Sequence, residues 1–245
     1  MNNFILLLQF FTRIPIKKEI IYDNESYGKG TVFLPLVGLI IGTLAYILTI
    51  FLIKIELTKE IYALLMLIYW IFITGALHVD GFADSVDGLL SYRSKDKVLE
   101  IMKDPHIGTN GVIGIVLLVL FKFFLYKELN SIALLLSFIV GRVSIIFSAS
   151  FGNYARQKGM ALAIIKYNNN KSFLKSFIIT SLIFSFFKIY YIYLLLTLVF
   201  VYFIHKKIIK KIGGVTGDTL GFICELSEVI FLFLIYLGGI NGVFK

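Results

Sequence analysis

The chain has 245 residues, 58% of them hydrophobic and 16% charged, with a formal net charge of +9 and a mean hydropathy of +0.89. Soluble domains average roughly 45–50% apolar and about 25% charged residues, so a water-facing globule, a disordered chain and a collagen-like repeat are all excluded. The single cysteine, Cys224, excludes an internal disulfide.

The first apolar segment, residues 4–11, has no basic run before it and no small-residue cleavage site after it. It reads as an interfacial or re-entrant segment held by Arg13, Lys17 and Lys18, not as a signal peptide. A membrane-crossing helix needs about 20 mostly apolar residues. Residues 31–53 qualify, followed by 57–77, by 111–126 with Lys122 as an interruption, and by 130–151 with Arg142 inside. Residues 173–204 are too long for one crossing, and Lys188 divides them into 173–187 and 189–204. Residues 221–244 close the series. The fold class is therefore all-α, a polytopic membrane helix bundle of about seven transmembrane helices. Seventeen of the 24 basic residues fall in alternate connections: Arg13 to Lys29, Arg93 to Lys103, Arg156 to Lys175, and Lys206 to Lys211. That bias places the N-terminus in the cytoplasm, and it accounts for the positive charge without a nucleic-acid partner.

The connection 78–110 is long enough to carry function. It opens with His78-Val-Asp80-Gly-Phe-Ala-Asp84-Ser-Val-Asp87-Gly88. On a helix the three aspartates stand at i, i+4 and i+7, within roughly 60° of arc. Like charges so close call for a cation, and an oxygen-only donor set favours Mg²⁺ or Mn²⁺ over zinc. The plainer reading is a polar helix start whose acids face water. His78 is a base, a phosphate contact or an interfacial residue. Further along, Lys103-Asp104-Pro105-His106-Ile107-Gly108 offers Asp104 as a fourth carboxylate and Lys103 as a phosphate contact; a capped polar turn explains the same residues.

The last basic connection, 205–220, holds Gly213-Gly214-Val215-Thr216-Gly217-Asp218 just before an apolar helix. Successive backbone N–H groups there can cradle a phosphate at a helix N-terminus, although the GK[ST] ending of a Walker A loop is missing. An ordinary glycine turn capped by Asp218 fits equally well. Arg142, within a crossing, requires a partner: Asp218, Glu225 or a substrate phosphate, unless it forms a purely structural ion pair. Arg156 and Lys158 either bind anions or serve orientation alone.

These residues resemble the cobalamin synthase family, the adenosylcobinamide-GDP ribazoletransferases. The resemblance rests on Phe11-Thr12-Arg13-Ile14-Pro15, Phe33-Leu34-Pro35-Leu36-Val37-Gly38, His78 to Leu89, Ile101 to Thr109, Gly141-Arg142, and Gly213 to Gly221 with Glu225-Leu226. Pro105-His106 departs from the Ser-Arg the family often has. The resemblance implies a single transmembrane catalytic domain over 1–245, in the cell inner membrane, with its motif loops in the cytoplasm. It implies transfer of adenosylcobinamide phosphate from adenosylcobinamide-GDP to α-ribazole or its 5′-phosphate, with release of GMP. It also implies Mg²⁺ on Asp80, Asp84, Asp87 and Asp104, a phosphate cradle at Gly213, Gly214, Thr216, Gly217 and Asp218, and charge compensation by Lys103 and Arg142. An aspartate such as Asp84, or His78, would take the proton of the attacking hydroxyl. Small-molecule substrates and the lipid bilayer are the implied partners, with a homo-oligomer or a complex with other corrinoid enzymes left open. Two rivals remain at this stage. A CDP-alcohol phosphatidyltransferase needs an arginine where Asp84 follows Ala83, and a cation transporter needs acids spread at mid-depth over several crossings.

Overall fold

The computed structural model describes residues 2–239. Its helices are α1 (Asn2–Phe11), α2 (Asn24–Gly30), α3 (Leu34–Lys54), α4 (Lys59–Thr74), α5 (Leu77–Leu89), α6 (Lys95–Ile101), α7 (Thr109–Glu128), α8 (Ser131–Phe151), α9 (Leu162–Tyr167), α10 (Asn170–Phe184), α11 (Lys188–Ile212) and α12 (Gly217–Leu237). Among the described residues the only β-type pairing is an isolated parallel bridge between Tyr154 and Val215. Five helical stretches are long and apolar enough to cross a bilayer: Asn24–Lys54, Thr109–Glu128, Ser131–Phe151, Asn170–Ile212 and Gly217–Leu237. The bent pair α4 and α5 makes a sixth if taken together. Of the predicted last crossing, 221–244, residues 240–244 lie outside the described residues.

α8 is the axis of the bundle, with 89% of its apolar window buried against 22% for Asn170–Ile212. Gly38 and Gly42, four residues apart on α3, let that helix lie directly on it. A Cβ on Gly38 would fall 2.5 Å from the Phe138 carbonyl oxygen, and one on Gly42 would come within 2.9 Å of Leu135 Cα. Between helices in lipid, such close backbone approach supplies the van der Waals contact that the hydrophobic effect cannot.

The 43-residue stretch Asn170–Ile212 would measure about 65 Å as one straight helix, twice the roughly 30 Å hydrocarbon core. Instead it folds back at a 3-10 turn, Ser185–Phe187. Phe173 on α10 and His205 on α11 both pack on Phe147 near the end of α8, at 5.3 and 5.6 Å. Asn130, at the opposite end of α8, donates to the Tyr190 hydroxyl at 2.8 Å. The division predicted at Lys188 is thus seen as two antiparallel helices.

α4 and α5 meet at 93°. The corner is made by two consecutive left-handed residues, Gly75 (φ +60°) and Ala76 (φ +56°). A side chain in that conformation clashes with the following carbonyl, so Ala76 stores about 1–2 kcal/mol. Arg13 packs the corner: its backbone N–H donates to the Ile73 carbonyl at 2.8 Å, and its Cζ would lie 3.0 Å from a Cβ at Gly75. The segment after α1 therefore anchors a turn as well as an interface. Beyond the corner, α5 turns away from the axis of α4 and packs on α12 and α7.

Four charges are sealed within the bundle. Lys122 on α7 donates to Glu225 at 2.6 Å and Glu228 at 2.7 Å on α12, and Arg142 on α8 donates to Glu228. None of the four is more than 1% exposed. The Lys122 ammonium also stands 3.9 Å over the Trp70 ring of α4. Two cations and two anions make a neutral group linking four helices. The Arg142 partner is therefore Glu228, and Lys122, expected only to interrupt a crossing, is the bridge.

Replacing Ala76 by glycine is expected to raise stability by about 1 kcal/mol, read as an upward shift of thermal unfolding in detergent. Lys122→Met leaves two buried carboxylates against one guanidinium, and the same measurement should record a loss of about 3–5 kcal/mol.

Candidate active site

The first turn of α12 rests on α5, backbone against backbone. A Cβ on Gly81 would stand 2.8 Å from Asp218 Cα, and one on Gly221 would stand 3.0 Å from the His78 carbonyl oxygen. Phe82 and Phe222 stack beside this contact at 5.2 Å. The approach sets Asp218 among the acids of α5. Arg156 joins them, its Nη2 2.6 Å from Asp218 and 3.3 Å from the Met102 carbonyl, to which it donates. The bridge next to Arg156 holds it there: Ala155 N–H donates to Val215 O at 2.9 Å, and Val215 N–H to Asn153 O at 2.8 Å.

Asp80 is exposed and Asp84 half-buried. Burial, then the charges of Asp80 and Asp218, push the Asp84 carboxyl up to about 7, with Arg156 opposing. Three neighbouring carboxylates against one guanidinium leave a negative, oxygen-donor recess, although their oxygens do not all lie within 4.8 Å of one another. That donor chemistry fits a hard divalent cation.

The remaining predicted residues divide between this recess and other duties. Asp87 is buried and turned to α7, accepting from Gly108 N–H at 2.7 Å and Gly111 N–H at 2.8 Å. It caps a helix whose first donors are otherwise unpaired, instead of facing Asp80 and Asp84. Asp104 is exposed and accepts from the His106 N–H at 2.9 Å. Its charged neighbours are His106 and Lys97, so the structure does not bring it into the recess. Lys103 is exposed on the same turn. Arg142 is sealed in the bundle, away from any phosphate contact at the recess.

Three backbone donors of the glycine loop are used in its own folding. Gly213 N–H donates to Ile209 O at 2.8 Å, Val215 N–H to Asn153 O, and Thr216 N–H to Thr219 Oγ1 at 2.8 Å. Thr216 Oγ1 accepts in return from Thr219 N–H at 3.2 Å, closing a capping box. Gly213 ends α11 in a left-handed turn against Lys95, and Gly214 fits against Asn153 and Ala155. Gly217 and Asp218 alone among the predicted cradle residues border the cavity of about 110 Å³ beside the recess. Thr216-x-x-Thr219 was a legible capping signal. Nothing in the sequence paired residues 153–155 with the loop, so the place of Arg156 was not.

His78 is 4% exposed, and neither ring nitrogen has a hydrogen-bond partner. One approaches Cys224 Sγ and a Glu225 oxygen, all within 4.8 Å of one another. Lys122 on Glu225, with Arg142 next to Cys224, makes this buried trio a poor place for a second cation. Glu225 and Glu228 are likewise neutralised by Lys122 and Arg142, and so provide no ion path of the kind a transporter needs. Asp87→Ala should lower stability by about 1–3 kcal/mol through loss of the cap and exposure of two unpaired N–H groups, whereas Asp104→Ala should change it by less than ~0.5 kcal/mol; thermal unfolding of both variants checks the contrast.

Residues 3–236 match the family described as Cobalamin-5-phosphate synthase. A protein of Alkaliphilus oremlandii named adenosylcobinamide-GDP ribazoletransferase is 39% identical over 239 residues, covering 97% of this chain and 98% of its own. A protein of the same name from Clostridium novyi is 43% identical over 241 residues, covering 95% of each chain, and one from Clostridium acetobutylicum is 36% identical over 242 residues, covering 96% of each. No solved structure matches. The chain, an all-α polytopic membrane bundle with an acidic recess at one end, belongs to the cobalamin-5-phosphate synthase family.

Proposed function

We propose that the chain transfers adenosylcobinamide phosphate from adenosylcobinamide-GDP to the 5′-hydroxyl of α-ribazole or its 5′-phosphate, releasing GMP. The observation that carries the reading is the negative field of Asp80, Asp84 and Asp218 opposed by Arg156, which is paired with Asp218, in a chain that matches this family almost end to end.

In this reading Asp80, Asp84 and Asp218 hold Mg²⁺, which when bound polarises the phosphoryl oxygens. Asp80, at the rim of the cavity, accepts the proton of the attacking hydroxyl. The oxygen freed of that proton bonds to the corrinoid-side phosphorus, and the bond from that phosphorus to the GMP oxygen breaks. Arg156, held by Met102 and Asp218, faces the charge that builds on the phosphoryl group, the role first considered for Arg142. Asp87 positions α7 beneath the recess without touching substrate. Counting α4 as a crossing and dividing Asn170–Ile212 at its turn gives seven crossings: α3, α4, α7, α8, α10, α11 and α12. With the positive-inside bias, the recess then opens to the cytoplasm from the inner membrane, within one catalytic domain.

The test is reconstitution of the purified protein in liposomes with adenosylcobinamide-GDP, α-ribazole and Mg²⁺, following GMP. Release should require the metal and stop with EDTA. Asp84→Asn should lower kcat by about 10²–10³-fold with membrane insertion intact, and Arg156→Ala by about 10²-fold. Absence of GMP from folded protein supplied with both substrates and metal would reject the reading.

A further inference from the structure

Away from the acidic recess, α5, α11 and α12 enclose a groove of about 410 Å³, within the roughly 300–1,000 Å³ of small-molecule sites. Leu89 of α5, Ile204 of α11 and Phe222 and Leu226 of α12 line its walls. Lys207 and Lys211 are the charged residues that border it, and among the described residues no carboxylate does. Ser85 lies in the wall as well, 0% exposed, and its Oγ has no hydrogen-bond partner. A buried hydroxyl in that state is penalised until an acceptor meets it. The α11 side of the groove is graded. Phe200, Ile204, Lys207 and Lys211 follow at i, i+4, i+7 and i+11, on one face of the helix. Phe200 is 48% exposed beyond the apolar end. Lys211 is held at the other end by donating to the Arg93 carbonyl at 3.0 Å, a contact that uses one of its three N–H donors. From Phe200 to Lys211 the helix rises about 16 Å, close to half of the roughly 30 Å hydrocarbon core.

We infer that this groove holds one phospholipid with an anionic headgroup, its phosphodiester on Lys207 and Lys211 and an acyl chain along the apolar wall. The site lies outside the proposed reaction and does not depend on it. Charge complementarity selects the head. Two ammoniums with no carboxylate beside them favour a net negative group, whereas a choline or ethanolamine head brings a cation of its own. The grading of α11 selects an amphiphile over a free anion, because a soluble phosphate would leave the apolar wall of Leu89, Ile204 and Leu226 unfilled. Ser85 adds a buried donor for which the ester carbonyls of a lipid are acceptors. The chain of such a lipid would meet Phe222, which stacks on Phe82 beside the contact of α5 with α12. Occupancy therefore braces the two helices that carry the acids of the recess.

The experiment titrates the full-length protein in detergent with dioleoylphosphatidylglycerol, dioleoylphosphatidylcholine or inorganic phosphate. Bound lipid is counted by native mass spectrometry, and thermal unfolding is followed in parallel. One phosphatidylglycerol should bind per chain, with a preference of about tenfold or more over phosphatidylcholine, and should raise the unfolding temperature. Inorganic phosphate should give no such shift. Lys207→Gln and Lys211→Gln should each weaken lipid binding about fivefold. Lys206→Gln and Lys210→Gln remove the same charge from exposed lysines that do not line the groove, and should leave it unchanged. Ile204→Trp, which fills the apolar wall, should lower affinity about tenfold with both lysines in place. If that variant does not fold, the comparison of the four lysine variants decides. Equal binding of the two lipids, equal loss from all four lysine variants, or a shift with inorganic phosphate that matches the lipid would overturn the assignment.

Discussion

Four charges without water to solvate them organise this molecule. In a hydrocarbon interior an unpaired ammonium, guanidinium or carboxylate is expensive, so Lys122, Arg142, Glu225 and Glu228 are stable only when all four are present and in contact. Their mutual need fixes the rotation and depth of α7, α8 and α12, and the Lys122 ammonium brings α4 into the same register through Trp70. Gly141 leaves room for this arrangement: a Cβ there would stand 2.6 Å from the Glu228 carboxylate and 2.9 Å from Cys224 Sγ.

Once α12 is held at that depth, its first turn has one place to go. The glycine contacts at Gly81 and Gly221 seat it on α5, and the α4–α5 corner, with its left-handed pair, turns α5 across the bundle to meet it. The acids of α5 thus reach Asp218 by two independent constraints: the charge group sets α12, and the corner sets α5. Strain at Ala76 belongs with this geometry, since a relaxed continuation of α4 would carry the aspartates away from α12.

The site uses its acids for different ends. Asp80, Asp84 and Asp218 share a recess where their repulsion is only partly offset by Arg156, a state that favours cation binding. Asp87 spends its negative charge on the start of α7. Rigidity comes from groups whose charges are balanced in direct contact, and reactivity from groups whose charges are not. The same contrast holds for the two arginines: Arg142 is structural because it is buried and paired, and Arg156 faces the recess because a loop bridge delivers it there.

Composition, hydropathy and the alternation of basic connections were enough to read an all-α membrane bundle, since crossing a bilayer demands long apolar helices whatever their packing. The i, i+4 spacing of Asp80 and Asp84 likewise put them on one face before any coordinates, because helix geometry is local. Division of the stretch around Lys188 was legible for the same reason: its length exceeds one bilayer. Partner choice was not. That Arg142 meets Glu228, that Asp87 caps α7, that Asp104 stands apart, and that residues 153–155 pair with the glycine loop all depend on contacts between segments distant in the chain. Sequence by itself determined the solvent, the secondary structure and the supply of charged side chains; tertiary structure decided which charges would neutralise one another and which would stay open for chemistry, because pairing is set by proximity in the folded bundle and not by spacing along the chain.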